Sequence, residues 1–376
     1  MKNILITGGA GFIGSNLTIN LVKKGYNITI LDNLSEQIHG KNQNSELYNS
    51  VKDISTFILG DICKKSDWEK ALNGQDAVVH LAAETGTGQS MYEITRYNEV
   101  NIIGTSYLLN ILANENHTIK KIILASSRSI YGEGKYFCKH DNHVYPFDRD
   151  KKDLLQGKFD PKCPFCKGKL ELKPTDEISK IHPSSIYGIT KYQQEQMILL
   201  MGSVLNIPTV ALRYQNVYGP GQSLTNPYTG ILSIFSTSLL NGNDIDIYED
   251  GEESRDFVYI DDVVNATTMA LEETKANNKI FNVGSGCATS VNEVASTLCS
   301  LYKSRGNITI SGKFRLGDIR HNYADLTKIT SILGFVPKVD FKTGITRFVK
   351  WVKTQEIQED KYEKSIHQLK NKGLMK

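Results

Sequence analysis

Apolar residues in the first half of the chain fall into short unbroken runs, separated by longer stretches in which they recur every three or four positions. Asn3-Ile4-Leu5-Ile6-Thr7 is such a run. Phe12, Ile13, Leu17, Ile19, Leu21 and Val22 then follow at largely helical spacing between Gly11 and Lys24, and Gly25 closes the helix. The same alternation predicts strands over Asn27–Asp32, Thr56–Leu59, Ala77–Leu81, Lys121–Ala125 and Thr209–Arg213. Strands with few polar breaks that alternate with helices are buried on both faces, so an α/β fold with a doubly wound parallel sheet is expected over residues 1–212. Beyond Arg213 the order is mixed, with helical patterns near Gly230–Leu240, Ile260–Glu273 and Ser290–Tyr302. Residues 213–354 therefore read as a smaller mixed C-terminal lobe suited to binding substrate, partly interleaved with the first, to which Phe257–Tyr259 could return as a strand. Residues 355–376 are highly charged and read as a surface helix that frays into a tail.

Position gives the first glycines their meaning. Thr7-Gly8-Gly9-Ala10-Gly11-Phe12-Ile13-Gly14 follows a strand and opens a helix. Gly8 can turn tightly, Gly11 admits a pyrophosphate close to the backbone, and Gly14 lets helix and strand pack together, while the helix N-terminus offers free N–H groups to an anion. Asp32 ends the second strand about 20 residues on, where a carboxylate accepts hydrogen bonds from an adenosine ribose and repels a 2′-phosphate. This is a Rossmann-type dinucleotide signature with NAD expected over NADP. Asp61, after the third strand, is either an adenine contact or a plain turn residue. Tyr187 and Lys191 lie four apart and share a helix face, and the fifth strand delivers Ser127 to the same sheet edge. A phenol ionises near pH 10, so Tyr187 becomes a useful base only beside a cation, which Lys191 would supply.

The 44 basic and 41 acidic residues are spread along the chain, giving a net charge of +3 and no footprint for nucleic acid. No apolar run approaches the roughly 20 residues needed to cross a bilayer, and no secretory signal pattern opens the chain. A cytoplasmic enzyme without a membrane partner is the expectation.

Several motifs in one order resemble the extended short-chain dehydrogenase/reductase family, in particular its NAD-dependent nucleotide-sugar epimerases and dehydratases. They are the Gly8 to Gly14 loop, His80-Leu81-Ala82-Ala83-Glu84, Asn101-Ile102-Ile103-Gly104-Thr105, the Ser127, Tyr187 and Lys191 set, Arg213-Tyr214-Gln215-Asn216-Val217-Tyr218-Gly219-Pro220 and Arg255-Asp256-Phe257-Val258. The resemblance implies that Ser127, Tyr187 and Lys191 are catalytic. It implies that NAD meets Gly8, Gly11, Phe12, Ile13 and Gly14, then Asp32, Asn33, Asp61 and Ile62, and finally Leu81, Ala82, Ala83, Asn101, Tyr187, Lys191 and Tyr214. Glu84 and Arg128 would meet the sugar nucleotide, with its diphosphate at Asn216, Arg255 and Arg315. A homodimer through two helices, one of them Ser184–Leu205, is also implied. In the 4,6-dehydratases of the family an Asp-Glu pair follows the catalytic hydroxyl, whereas Arg128-Ser129 stand here, so 4-epimerisation of a nucleotide-diphosphate sugar, best a dTDP-6-deoxyhexose, is expected. A 4-keto reductase, a dehydratase and a non-catalytic NAD-sensing protein are the alternatives.

The segment from about 133 to 183 is longer than its counterpart in ordinary members. Cys163-Pro164-Phe165-Cys166 has the form of a metal knuckle, and Cys138 with one of the histidines, His140 or else His143, would complete a tetrahedral structural zinc site. The alternative is a set of free thiols on a long loop. Cys63, Cys287 and Cys299 are expected to be inert.

Overall fold

The computed structural model describes residues 1–40, 45–224, 226, 230–304, 306–360 and 362–375. Seven parallel strands form the central sheet: β1 (Asn3–Thr7), β2 (Asn27–Asp32), β3 (Thr56–Leu59), β4 (Ala77–His80), β5 (Lys121–Ser127), β6 (Thr209–Tyr214) and β7 (Lys279–Val283), in the order β7-β6-β5-β4-β1-β2-β3. The period of two divides β1 between the faces. Ile4 and Ile6 pack with Leu17, Leu21 and Ala266 on one side, and Leu5 packs with Trp68, Leu108 and Val78 on the other. Four long helices cover these faces: α1 (Phe12–Lys23), α2 (Gly104–Asn114), α3 (Ile186–Val204) and α4 (Ile260–Glu272). The order reverses between β1 and β4, so the connections after these strands leave in opposite directions and open a crevice at their carboxyl ends.

The structure departs from the sequence-based reading in two places. Phe257–Tyr259 does not join the central sheet but pairs in parallel with Asn216–Tyr218, and it is β7 that returns to the sheet, beside β6. The C-terminal stretch does not fray: Tyr362–Asn371 is helical, Ile366, Leu369 and Met375 are buried, and Leu316 N–H donates to Leu374 O. Within the helix and the turn after it, Ile366, Leu369 and Met375 fall on the covered side, while Ile357 before the helix is exposed. Among the described residues no helix is long and apolar enough to cross a membrane.

The long insert forms a small antiparallel sheet of Tyr136–Cys138, Asn142–Val144 and Glu171–Leu172. It is stitched to the smaller lobe at Thr175, which bridges to Ala324, and at Glu133, whose carboxylate accepts from Arg320 N–H at 2.7 Å.

Candidate active site

The turn after β1 can be built only with glycines. A Cβ at Gly14 would lie 2.2 Å from Gly8 O and 2.6 Å from Gly9 Cα, and one at Gly8, whose φ is +69°, would lie 2.9 Å from Ala82 Cα. No side chain caps α1, so its first-turn N–H groups face the crevice, a cradle that fits a diphosphate. Asp32 braces the turn, accepting from Ala10 N–H at 3.0 Å and from Leu34 N–H at 2.9 Å. His39 stands 4.0 Å from the same carboxylate.

A cavity of about 750 Å³ runs from this cradle along the strand ends. Its walls include Gly8, Gly11, Phe12, Ile13, Gly14, Asp32, Asn33, Asp61 and Ile62 at one end and Leu81, Ala82, Ala83, Glu84, Ser127, Arg128, Tyr187, Lys191, Tyr214 and Asn216 at the other.

The reactive cluster is set by how α3 docks. Ser185 caps the helix by accepting from Gly188 N–H. A Cβ at Gly188 would lie 2.6 Å from Ser129 O, so glycine lets the first turn rest on the residues that follow β5. This sets the Tyr187 phenol beside Ser127 on the cavity wall. Ser127 Oγ in turn accepts from Ser129 N–H at 3.2 Å and lies 2.9 Å from Ser129 Oγ. Burial pushes the Tyr187 phenol above its ordinary value, while the Ser127 hydrogen bond and the Arg128 guanidinium pull it down. Arg128 adds a cation near the phenol that the sequence reading did not include. Burial lowers Lys191 to about 7 against the pull of Glu195. Burial and Lys191 together hold His80 down to about 3, so its neutral imidazole joins Thr7 Oγ1 (2.7 Å) to Thr105 Oγ1 (3.0 Å) across β1, β4 and α2.

Three expected ligand contacts do not line this cavity. Asn101 is fully buried in a π-helical turn, with its amide engaged by Glu84 N–H, Glu84 O and Thr190 Oγ1, so it ties the Glu84 loop to α3 instead. Glu84 itself is held by Arg96 at 2.8 Å. Arg255 and Arg315 gather beside the cavity around Asp318. Burial pushes that carboxyl up, yet Arg255, Arg315, Arg149 and Arg128 together hold it below the ordinary carboxylate range. Arg255 Nη2 donates to Asp318 at 3.0 Å, and Arg315 lies 4.9 Å from the Tyr248 ring. Arg128 links the two regions, its Nε donating to Asn216 Oδ1 at 3.0 Å.

In the insert, Cys138, Cys163 and Cys166 converge as expected, but Asp141 takes the fourth place in the cluster and His140 does not. The tight hairpin turns the Asp141 carboxylate inward and leaves His140 exposed.

Sequence reasoning also missed Glu195 beneath the site. Its carboxylate accepts from Arg213 Nε and Nη2 (3.0 and 2.6 Å) and from Ser126 Oγ (2.6 Å), fastening α3 to β5 and β6. Glu195→Gln turns an amide nitrogen toward donors, so a loss of about 1–3 kcal/mol is expected in chemical denaturation. An unchanged midpoint would remove this network from the positioning of Tyr187.

The NAD dependent epimerase/dehydratase family model matches residues 4–165 and 162–284. The chain belongs to that family. Among curated proteins this family member is 35% identical over 353 residues to a dTDP-L-rhamnose 4-epimerase of Burkholderia thailandensis, covering 93% of this chain and 95% of that one. Among solved structures it is similar to UDP-glucose 4-epimerase of Thermotoga maritima with UDP-glucose, with TM-score 0.76 and 30% identity over 94% of this chain and 99% of that one. It is also similar to UDP-glucuronic acid 4-epimerase of Bacillus cereus in complex with UDP-glucuronic acid and NAD, with TM-score 0.76 and 26% identity over the same shares.

Proposed function

We propose that this family member is an NAD-dependent 4-epimerase of nucleotide-diphosphate sugars, acting on a dTDP-linked 6-deoxyhexose. The observation that carries the reading is the convergence of Ser127, Arg128, Tyr187 and Lys191 on one wall of the cavity at the mouth of β5, with Lys191 one turn along α3 from Tyr187. The residues fit NAD, since the glycine cradle and α1 N-terminus suit its diphosphate and Asp32 suits an unphosphorylated ribose. NAD supplies the acceptor, and then the donor, of the carbon-4 hydride.

Tyr187 as phenolate takes the proton of the 4-hydroxyl and later returns one, while Ser127 holds the oxygen. Lys191 would hold the ribose next to the nicotinamide. Asn216 and Arg128, which line the cavity, hold the diphosphate while the 4-keto sugar turns over, since planar guanidinium forks match phosphate oxygens; Arg255 and Arg315 would join them only by turning from Asp318 beside the cavity. Pairing of two copies through α3 belongs to the same reading, supported by Ile189, Leu200 and Val204, all exposed and at spacings that put them on one helix face.

Epimerisation returns hydride to the carbon it left. Substrate deuterated at carbon 4 is therefore expected to give epimer that keeps the label, with no net change in reduced nicotinamide. Label found at carbon 6 would make the protein a dehydratase, and stoichiometric use of reduced cofactor would make it a reductase.

A further inference from the structure

The insert carries two short loops with the same spacing, Cys138-Lys139-His140-Asp141 and Cys163-Pro164-Phe165-Cys166. Each places its first and last side chains toward the other loop. Cys138 Sγ lies 3.4 Å from Cys166 Sγ and 3.4 Å from Asp141 Oδ2, and Cys163 Sγ lies 3.0 Å from the same oxygen. All four donor atoms fall within 4.8 Å of one another. We propose that Cys138, Asp141, Cys163 and Cys166 together hold one structural Zn²⁺ ion.

Zinc bonds sulfur at about 2.3 Å and carboxylate oxygen at about 2.0 Å in tetrahedral sites, so donors must sit roughly 3.5–3.8 Å apart. The observed separations need only small adjustment. The backbone is already shaped for thiolates. The main-chain N–H groups of His140 and Asp141 lie near Cys138 Sγ, and that of Gly168 lies near Cys166 Sγ. A Cβ at Gly168 would lie 3.3 Å from that sulfur, so glycine keeps the approach open. The second loop is closed by Cys163 N–H to Gly168 O (3.0 Å) and Lys167 N–H to Cys163 O (3.1 Å), with Lys167 in the left-handed region at φ +61°.

The histidines stand elsewhere. His140 is exposed, and His143 packs edge-on against Phe137, 5.8 Å between ring centres, on the opposite face of the hairpin from Cys138.

A disulfide would consume two thiols and leave the third sulfur against a carboxylate with no role. The sheet of the insert also has little core of its own: its buried cluster is Tyr136, Cys138, Val144 and Cys163, with Leu170 and Leu172 against it, while Leu154 and Phe159 pack instead with Phe314 of the smaller lobe. A metal cross-link supplies what so small a cluster cannot. Since four protein groups fill the coordination sphere, the ion organises the insert and takes no part in chemistry. The site does not depend on which reaction the main cavity performs.

The test is metal analysis of the full-length protein purified without added metal or chelator, by inductively coupled plasma mass spectrometry. About one zinc per chain is expected for a closed site. His140→Ala keeps that content, whereas Asp141→Ala lowers it and the double replacement Cys163→Ser with Cys166→Ser abolishes it. Metal-free wild-type protein overturns the proposal, as does loss of zinc in His140→Ala with retention in Asp141→Ala. Because the cysteine variants can misfold, the wild-type chain is also weighed intact under denaturing, non-reducing conditions. All cysteines in the thiol form are expected, and a mass short of two hydrogens, traced to Cys138 and Cys166, overturns the proposal independently.

Discussion

Tyr187→Phe is expected to lower kcat by roughly 10³-fold, within the usual range for loss of a positioned acid–base group, and to leave KM within a fewfold of its original value. The change deletes one oxygen. The Tyr187 ring stays packed edge-on against Tyr97, 6.4 Å between ring centres, and the main-chain N–H of residue 187 still donates to Ser90 Oγ at 3.0 Å. The glycine cradle and the arginines around Asp318 are untouched, so NAD and sugar nucleotide should bind as before. What disappears is the hydroxyl beside Ser127, the group proposed to take the 4-hydroxyl proton. Steady-state kinetics and calorimetric titration of both ligands check the split. A variant that turns over within tenfold of the original takes Tyr187 out of proton transfer, and one that loses ligand binding makes it a structural residue.

The parts of the site that were legible in the sequence are those where backbone chemistry dictates residue type. Buried parallel strands must be apolar throughout, so β1 to β6 stood out. β7 did not, because the five-residue strand Lys279–Val283 opens on a lysine and carries Asn282 at its fourth position. Asn282 is spent on the insert, donating to Thr175 O at 2.9 Å and accepting from the Tyr131 hydroxyl at 2.8 Å. Glycines at 8 and 14 were legible because backbone would otherwise collide there. Arg255 and Arg315 were placed by resemblance, and spacing along the chain contains nothing of Asp318, the carboxylate that gathers them. Asp141 had a usable signal, the spacing of Cys138 to Asp141 repeated in Cys163 to Cys166, but a search for histidine as the fourth donor passed over it. Glu195 gave no signal, since a glutamate in mid-helix reads as solvated until the tertiary fold sets Arg213 against it.

Lys191→Met is expected to stabilise the protein at neutral pH while lowering turnover by roughly 10²-fold. Lys191 is buried, and burial brings its ammonium from the ordinary 10.5 down to about 7. The folded form therefore gives up the proton more readily than the unfolded chain. Between about pH 7 and 10.5 the unfolded chain binds more protons, so this residue makes stability rise with pH across that window. Below about pH 7 both forms are protonated and the full penalty of burying the charge is present. Methionine fills similar volume without a charge, which should recover about 1–3 kcal/mol at pH 7, the discount from the full shift allowing for the pull of Glu195 that is also lost. The gain in Tm should be at its plateau below about pH 7, still large at pH 7, and shrink toward pH 10, a pattern that loss of packing would not produce. Such a trade of stability for function marks a charge kept in a pocket for a ligand to use. Thermal melts of both proteins at pH 7 and 9.5, beside kcat at each, decide the matter: a variant that is less stable at pH 7, or as active as its parent, would show that Lys191 is neither strained by burial nor needed for turnover.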